Sequence, residues 1–367
     1  MSELATERPG ARVDPEVPGG RLRFGRRLWV VRNRLVSGRL PLRWAAVVLV
    51  LTLVSLALAA VALGLGEFAV PVPDVVEALL GGGEPATRMV VLEWRLPRVL
   101  LALLLGASLG LAGAVFQSLT RNPLGSPDII GFNTGAYTGA LVVILLLDGG
   151  GRPLTALGAL VGGLGTAGVV YALAWRQGVQ GFRLIIVGIA LSAMLASVNT
   201  WLILQASLDR AMAAAVWGAG SLSALAWSDV TPVLVALAVL LPPLVAAAPA
   251  LRLLEMGDDA ASALGVRAEP ARLTLVVVGV ALTALATATA GPIAFVALAA
   301  PGIARQLAGS ASVPLAPSAA VGACLLLASD IVAQRAFAPT QLPVGVVTVC
   351  LGGCYLIWLL ILEARRR

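Results

Sequence analysis

The stretch EWRLPRVLLALLLGASLGLAGAVFQSLTRNPLGSPDIIGFNTGA, residues 93–136, contains two apolar runs separated by a short polar turn. The first run, near 98–117, has about the 20 residues that a helix needs to cross a bilayer, and the second begins near residue 128. Small residues recur in GASLGLAGA (106–114), a spacing that lets membrane helices pack closely. The stretch therefore predicts two transmembrane helices, the first of them tightly packed against its neighbours.

Outside this stretch the chain continues with further long apolar runs. Hydrophobic residues make up 59% of the 367 residues and charged residues 12%, against about 25% charged in soluble domains. We therefore predict an all-α, polytopic membrane protein of about ten transmembrane helices. The candidate spans lie near 44–65, 98–117, 128–147, 154–175, 184–204, 230–247, 271–290, 293–308, 315–333 and 344–362. The eighth span is the weakest, because Gly302, Arg305 and Gln306 interrupt it.

Residue types that are missing from the chain exclude several kinds of enzyme. All 26 basic residues are arginines and the chain has 0 histidines. A P-loop ATPase site needs a lysine, and a Ser–His–Asp triad or a His-rich zinc site needs histidine, so all three are excluded. Cys350 and Cys354 share a helix face, which could suggest a metal site or a disulfide. We interpret them, with Cys324, as small core residues, and we identify no catalytic or metal-binding residue.

The distribution of arginine predicts the orientation of the chain in the membrane. Ten arginines fall in residues 1–43, and with a cytoplasmic N-terminus 20 of the 26 lie inside, as the positive-inside rule requires. We predict two cytoplasmic termini, an Arg-rich segment (1–43) lying on anionic headgroups rather than on nucleic acid, and a transmembrane domain over 44–364. The run at 44–65 is too long for the apolar part of a cleaved signal peptide.

The middles of the predicted spans hold neutral polar side chains and essentially no ionisable ones. These candidate translocation-pathway residues are Gln117, Asn133, Thr134 and Asn199. Each could instead form a hydrogen bond between helices, and the sequence leaves both interpretations open. An ion-coupled transporter carries ionisable groups at membrane depth. Their absence favours a transporter whose energy comes from an ATPase on a separate chain, over an ion-coupled secondary transporter or a membrane enzyme.

The stretch 93–136 resembles the signature of the FecCD permeases, the importer family for iron–siderophores and vitamin B12. Three later stretches fit the same family: LLEMGDDAASALGV (253–266), AGPIAFVALAAPGIAR (290–305) and QLPVGVVTVCLGGCYLIWLL (341–360). The likeness runs in register from about residue 44 to 364, and it is strongest to a permease subunit of a ferric-siderophore importer. It implies the fold of a type II ABC importer permease, in the bacterial cytoplasmic membrane, that imports ferric siderophores by alternating access.

The resemblance also implies an assembly. A second FecCD-type permease subunit would form a heterodimer with this chain, two cytoplasmic ATPase subunits would hold ATP and Mg, and an external lipoprotein would deliver the ferric siderophore. This chain would itself be non-catalytic and hold no cofactor, with iron present only as chelated substrate. Haem, cobalamin or another metal chelate remain alternative substrates. The family commonly has a Pro–His pair where this chain has Pro301 and Gly302, so any role of that histidine is missing.

Two groups of residues match functional positions of the vitamin B12 permease. Those expected to dock the binding protein are Arg95, Arg98 and, less directly, Arg335, since arginine pairs well with carboxylates. Those expected to form a cytoplasmic gate are Asn122, Pro123, Leu124 and Phe182. The alternatives are that the arginines merely anchor a span at the headgroups and that residues 122–124 form a plain connecting turn.

The loop at about 248–270 carries the expected contact with the ATPase. Its predicted coupling element consists of Leu254, Glu255, Met256, Gly257, Asp258, Asp259, Ala260, Ala261, Ser262, Ala263, Leu264 and Gly265. We predict a short helix with Asp258 as its N-cap and Gly265 closing it in the left-handed conformation. Its alanine face, including Ala261, is expected to enter a groove on the ATPase.

Overall fold

The computed structural model describes residues 28–32, 37–66, 68–147, 151–174 and 181–364. Most of the Arg-rich segment predicted at 1–43 lies outside the described residues. Its described part includes two short strands, β1 (Leu28–Arg32) and β2 (Ser37–Pro41), which pair antiparallel with Leu28 opposite Pro41. This hairpin is a small addition to an otherwise helical protein, and the sequence did not predict it.

Fifteen helices follow the hairpin within the described residues. In chain order they are α1 (Leu42–Gly64), α2 (Val72–Leu79), α3 (Pro85–Arg88), α4 (Leu96–Thr120), α5 (Pro127–Ile130), α6 (Phe132–Leu146), α7 (Gly151–Ala174), α8 (Gly181–Gln205), α9 (Leu208–Gly218), α10 (Trp227–Leu254), α11 (Asp258–Ala263), α12 (Ala268–Ala290), α13 (Val296–Ala308), α14 (Leu315–Arg335) and α15 (Val344–Ala364). A π-helical segment, Met89–Arg95, joins α3 to α4 without a break.

The predicted architecture of about ten membrane helices is confirmed. Among the described residues, eight helical stretches are long and apolar enough to cross a bilayer. The other two predicted spans correspond to α6, with 15 residues, and α13, with 13. The helical stretch that contains α4 runs for 36 residues, from Pro85 to Thr120, well beyond the predicted 98–117.

The most buried helix is α4, which packs against α12, α13 and α14. Glycines make the contact with α14 possible: a methyl group added to Gly106 would collide with the backbone of Gly322, and one added to Gly110 with that of Ser318. The carbonyl of Gly162 similarly meets Gly135 where α6 packs on α7. The prediction that small residues bring these helices together is therefore confirmed.

Several long helices remain largely exposed on this chain. In α1, α8 and α10, most residues of the apolar stretch are not buried within this subunit. Because all three helices are apolar along most of their length, their exposed faces must meet lipid or another subunit rather than water.

Candidate functional site

The three arginines predicted to dock the binding protein converge at one end of the bundle. Arg98 is half-buried and forms an ion pair with Asp330 of α14, with 2.8 Å between Nη2 and Oδ1 and 2.9 Å between Nε and Oδ2. The Asp330 side chain is fully buried and also accepts a bond from Gln334 at 2.8 Å. Arg98 is therefore held between two helices.

The other two arginines bind the end of α1 and the loop that follows it. Arg95 donates to the carbonyl of Leu63 at 2.7 Å and also to that of Phe68. Arg335 donates to the carbonyl of Gly66 at 3.1 Å and is exposed. Of the three docking candidates, Arg335 is therefore the most accessible, while Arg98 serves an internal pair. Docking by any of them stays a prediction.

The predicted gate residues 122–124 form a tight turn directly after α4. Arg121 caps α4 in the left-handed conformation, with φ 52°. The Asn122 Oδ1 atom accepts a bond from the Leu124 backbone N–H at 2.9 Å, which fixes the turn around Pro123. Leu124 is 45% exposed, as a residue that closes a passage against a partner would be. The role of these residues as a gate stays a prediction.

Phe182, the fourth predicted gate residue, lies at the start of α8. Its side chain is 74% exposed, so it packs little within this subunit. Its role as a constriction also stays a prediction.

The four predicted pathway residues are mostly inside the bundle. Gln117 is buried and donates to the carbonyl of Leu298 in α13 at 2.9 Å. Asn133 is buried and accepts from Thr287 of α12 at 2.9 Å. These two side chains therefore form the interhelical bonds that the sequence had left as one alternative. A role in the pathway remains untested for each of the four.

Thr134 and Asn199 differ from this pair. Thr134 is half-buried, at the start of α6. Asn199 is 4% exposed, and its Oδ1 atom has no hydrogen-bond partner within the described part of the chain. A buried amide oxygen without a partner costs free energy. Asn199 is therefore the one of the four whose buried polar group is not explained by a hydrogen bond to another helix.

Asp128 is a structural anchor that the sequence analysis did not identify. One carboxylate oxygen accepts from Asn133 Nδ2 at 2.6 Å, and the other accepts from the Phe295 backbone N–H at 3.0 Å. Phe295 has φ 67°, a left-handed conformation that costs free energy for a residue with a side chain. Asp128 therefore helps to hold the irregular segment between α12 and α13. The signal available in the sequence was a lone carboxylate beside a span.

The coupling element forms the predicted short helix, α11, with two corrections. The N-cap is Gly257, with φ 111°, rather than Asp258, whose carboxylate instead pairs with Arg272 at 2.6 Å. Ala261 is fully buried, so it points into this subunit, whereas Ala263 is exposed and Ala260 is half-buried.

The C-terminal end of α11 matches the prediction. Gly265 has φ 85° and its N–H bonds the Ser262 carbonyl at 2.9 Å, while Val266 N–H bonds the Ala261 carbonyl at 3.0 Å. These two bonds form a Schellman motif, which satisfies the last carbonyls of the helix. The large apolar side chains exposed next to it are Met256, at 68%, and Leu264, at 61%. Apolar side chains this exposed suit a contact with another protein.

The interpretation of the cysteines needs a correction. Cys324 is half-buried, but Cys350 and Cys354 are exposed on α15, so neither is a core residue of this subunit. The apolar run around them is lipid-facing or partner-facing rather than internal. Across the described ranges, no group of three or more His, Cys, Asp or Glu side chains could hold a metal ion.

The chain is similar to known transport proteins over most of its length. The model of the FecCD transport family matches residues 49–362. The ferric enterobactin transport system permease protein of Escherichia coli (strain K12) is 54% identical over 307 residues, which cover 82% of this chain and 91% of that protein. A probable siderophore transport system permease protein of Bacillus subtilis (strain 168) is 35% identical over 321 residues, 86% of this chain and 94% of that protein.

A solved structure has the same architecture. It is described as a metal-chelate type ABC transporter in an inward-facing conformation. The TM-score is 0.75 at 27% sequence identity, and the match covers 87% of this chain and 99% of that chain.

Proposed function

The chain belongs to the FecCD transport family, and from that premise we propose that it is the permease subunit of an ATP-binding-cassette importer for ferric siderophores. The observation that carries this proposal is the identity with the ferric enterobactin permease, which is above half and extends over most of both chains. The chain is a multi-pass membrane protein, and we place it in the bacterial cytoplasmic membrane with both termini inside.

The geometry of α4 supports different roles for its two ends, which lie at opposite faces of the membrane. Its 25 residues span about 36 Å at 1.5 Å per residue, enough to cross the hydrocarbon core. Arg98 lies in its first turn, while the turn at 122–124 and the coupling element adjoin its last turn. We assign the arginine end to the outside, where a binding protein would dock, and the other end to the cytoplasm, where ATPases would bind.

The proposed partners follow from this assignment. Two ATPase subunits hold ATP and Mg²⁺ and contact Met256 and Leu264 beside α11. A second FecCD-type permease covers exposed apolar faces of this chain, and an external binding lipoprotein delivers the substrate. Iron crosses as a chelate, so this chain binds no metal ion and carries out no catalytic step. This subunit forms part of the passage, which opens alternately to the outside and to the cytoplasm.

The experiment is transport by the purified, complete assembly in proteoliposomes. We expect uptake of ferric enterobactin that requires ATP and the binding protein, and that a proton gradient cannot drive. Haem and cobalamin, offered in the same assay, separate the alternative substrates. Uptake of haem or cobalamin in preference to ferric siderophores would overturn the substrate assignment. Uptake driven by a proton gradient without ATP would overturn the assignment as an ATP-binding-cassette permease.

A further inference from the structure

Glu255 joins the coupling element to the inner end of α4. It is the first residue after α10 and stands two positions before the N-cap of α11. Its Oε1 atom accepts a hydrogen bond from the Ser118 hydroxyl at 2.6 Å. The same oxygen accepts from the backbone N–H of Val313, in the loop between α13 and α14, at 3.3 Å. One carboxylate oxygen thus connects three segments.

The residue that Glu255 contacts also supports the gate turn. The Ser118 carbonyl accepts from the Arg121 N–H at 3.2 Å, and the neighbouring Gln117 carbonyl accepts from the Asn122 N–H at 3.2 Å. The turn is therefore hydrogen-bonded to the last turn of α4, and Glu255 contacts that same turn of the helix through Ser118. Along the chain, the turn at 122–124 and Glu255 are separated by six of the described helices, α5 to α10. The bond between Ser118 and Glu255 connects them directly in space.

A second contact runs alongside the first. The guanidinium of Arg121 lies against Gly257, 3.5 Å from where a Cβ atom on that glycine would stand. Gly257 is the N-cap of α11. Glu255 and Gly257, two positions apart in the coupling element, therefore meet Ser118 and Arg121 at the end of α4.

The contact borders a small polar cavity of about 160 Å³. Its lining includes Gln117, Arg121, Asn122, Glu255 and Arg305. A water molecule takes about 30 Å³ in the liquid, so the cavity has room for several waters with polar partners. The Glu255 carboxylate therefore borders polar space into which it can shift when α11 moves.

We propose that Glu255 is a positioning residue that transmits the displacement of α11 to the turn at 121–124 through its bond to Ser118. This proposal rests on the proposed function, since it presupposes that an ATPase moves α11. On the other side, Arg272 ties Asp258 to α12 and keeps α11 attached to the bundle. When α11 moves, the carboxylate of Glu255 pulls on Ser118, and the turn that is hydrogen-bonded to Ser118 changes position.

The test compares four single variants, and the double variant Glu255→Ala with Ser118→Ala, in the complete importer reconstituted with its ATPase. In Glu255→Ala the acceptor is lost, and in Ser118→Ala the donor is lost. Glu255→Gln keeps an Oε1 acceptor for Ser118. Ser108→Ala is the matched control, because among the described residues the Ser108 hydroxyl bonds only the Leu104 carbonyl of its own helix. The readouts are ferric enterobactin uptake per ATP hydrolysed and the amount of ATPase that copurifies.

We expect the Glu255→Ala and Ser118→Ala variants to lower uptake per ATP by about tenfold, the equivalent of one hydrogen bond to a charged group. ATPase copurification should stay normal. The double variant should be no worse than Glu255→Ala alone, because both changes remove the same interaction. Glu255→Gln should recover most of the coupling, and Ser108→Ala should match the wild type. Wild-type coupling in Glu255→Ala with normal ATPase binding would overturn the proposal.

A second readout does not depend on the identity of the substrate. With Cys324, Cys350 and Cys354 replaced by alanine, a cysteine introduced by Leu124→Cys reports the turn through its rate of labelling by a water-soluble thiol reagent. We expect ATP to change this rate in the parent protein and not in Glu255→Ala. An equal change in both would overturn the role of Glu255. No response to ATP in the parent would count against the proposed function instead.

Discussion

Arg98 and Asp330, which are 232 positions apart in the chain, form an ion pair in which two guanidinium nitrogens contact both carboxylate oxygens. The pair joins the N-terminal end of α4 to the C-terminal part of α14, and the carboxylate is fully buried. A buried carboxylate is tolerated only with a partner, so this pair constrains both helices at once.

Removing Arg98 should therefore destabilise the protein rather than merely weaken docking. We expect Arg98→Ala to cost about 3–5 kcal/mol of folding free energy, the usual effect of leaving a buried charge unpaired. The double change Arg98→Met with Asp330→Leu should restore most of the stability. Thermal unfolding in detergent measures both, with Arg335→Ala as the control for an exposed arginine. Equal unfolding temperatures for Arg98→Ala and the wild type would contradict the prediction.

Docking of the binding protein is better tested at Arg335, which is exposed. Arg335→Glu reverses a charge at the rim of the proposed interface, and we expect the association rate to fall about tenfold at low salt. The effect should shrink as salt is raised, because exposed charges are screened. Surface plasmon resonance with the purified binding protein provides the measurement. Arg88→Glu, at another exposed arginine of the same region, is the control. If the two variants bind alike, Arg335 has no special role in docking.

The gate turn should respond to loss of its internal hydrogen bond and its apolar tip. In the variant Asn122→Ala with Leu124→Ala, the Leu124 N–H loses its acceptor and the side chain that closes the passage is shortened. We expect ATP hydrolysis by the complete importer to rise in the absence of substrate, as does leak through the permease. Leu80→Ala, at an exposed leucine far from this turn in sequence, should leave both unchanged. Unaltered basal hydrolysis and leak would identify residues 122–124 as an ordinary connection.

The burial of Ala261 changes the way in which the ATPase contact is best tested. Leu264→Asp places a charge on an exposed apolar position beside α11, and we expect it to abolish copurification of the ATPase while the permease still folds. Ala261→Trp should instead lower the yield of folded permease, because the site has no room for a larger side chain. Leu79→Asp, another exposed leucine, is the control. Normal ATPase copurification with Leu264→Asp would show that this face of the loop is not the contact.

Much of the fold was predictable because long apolar runs and glycine spacing are local signals. The helices around Gly106 and Gly110 could be expected from the sequence, and so could the Gly265 cap of α11. The pairing of Arg98 with Asp330 could not, because no local pattern connects residues so far apart. The direction of Ala261 also needed the structure, since a six-residue helix with alanines on several sides has no distinct apolar face.

The site was predictable to a similar degree. Residues 122–124 were identified from their match to gate positions of the vitamin B12 permease at the inner end of a predicted span. Their attachment to Glu255 through Ser118 could not be predicted, because it depends on how α10 returns to α4. Asp128 was visible as a carboxylate at a span boundary. Its bond to Phe295 depends on a left-handed residue 167 positions further along, which no periodicity predicts.

The ion pair between Arg98 and Asp330 also has a consequence for biosynthesis. The ribosome delivers α4 long before α14, so the positive partner is already in the membrane when the carboxylate arrives. A lone carboxylate in the bilayer is costly, and a waiting arginine removes that cost at the moment of insertion. Integration of α14 therefore depends on a helix made more than two hundred residues earlier, and a truncated chain that lacks α4 should insert its C-terminal quarter poorly.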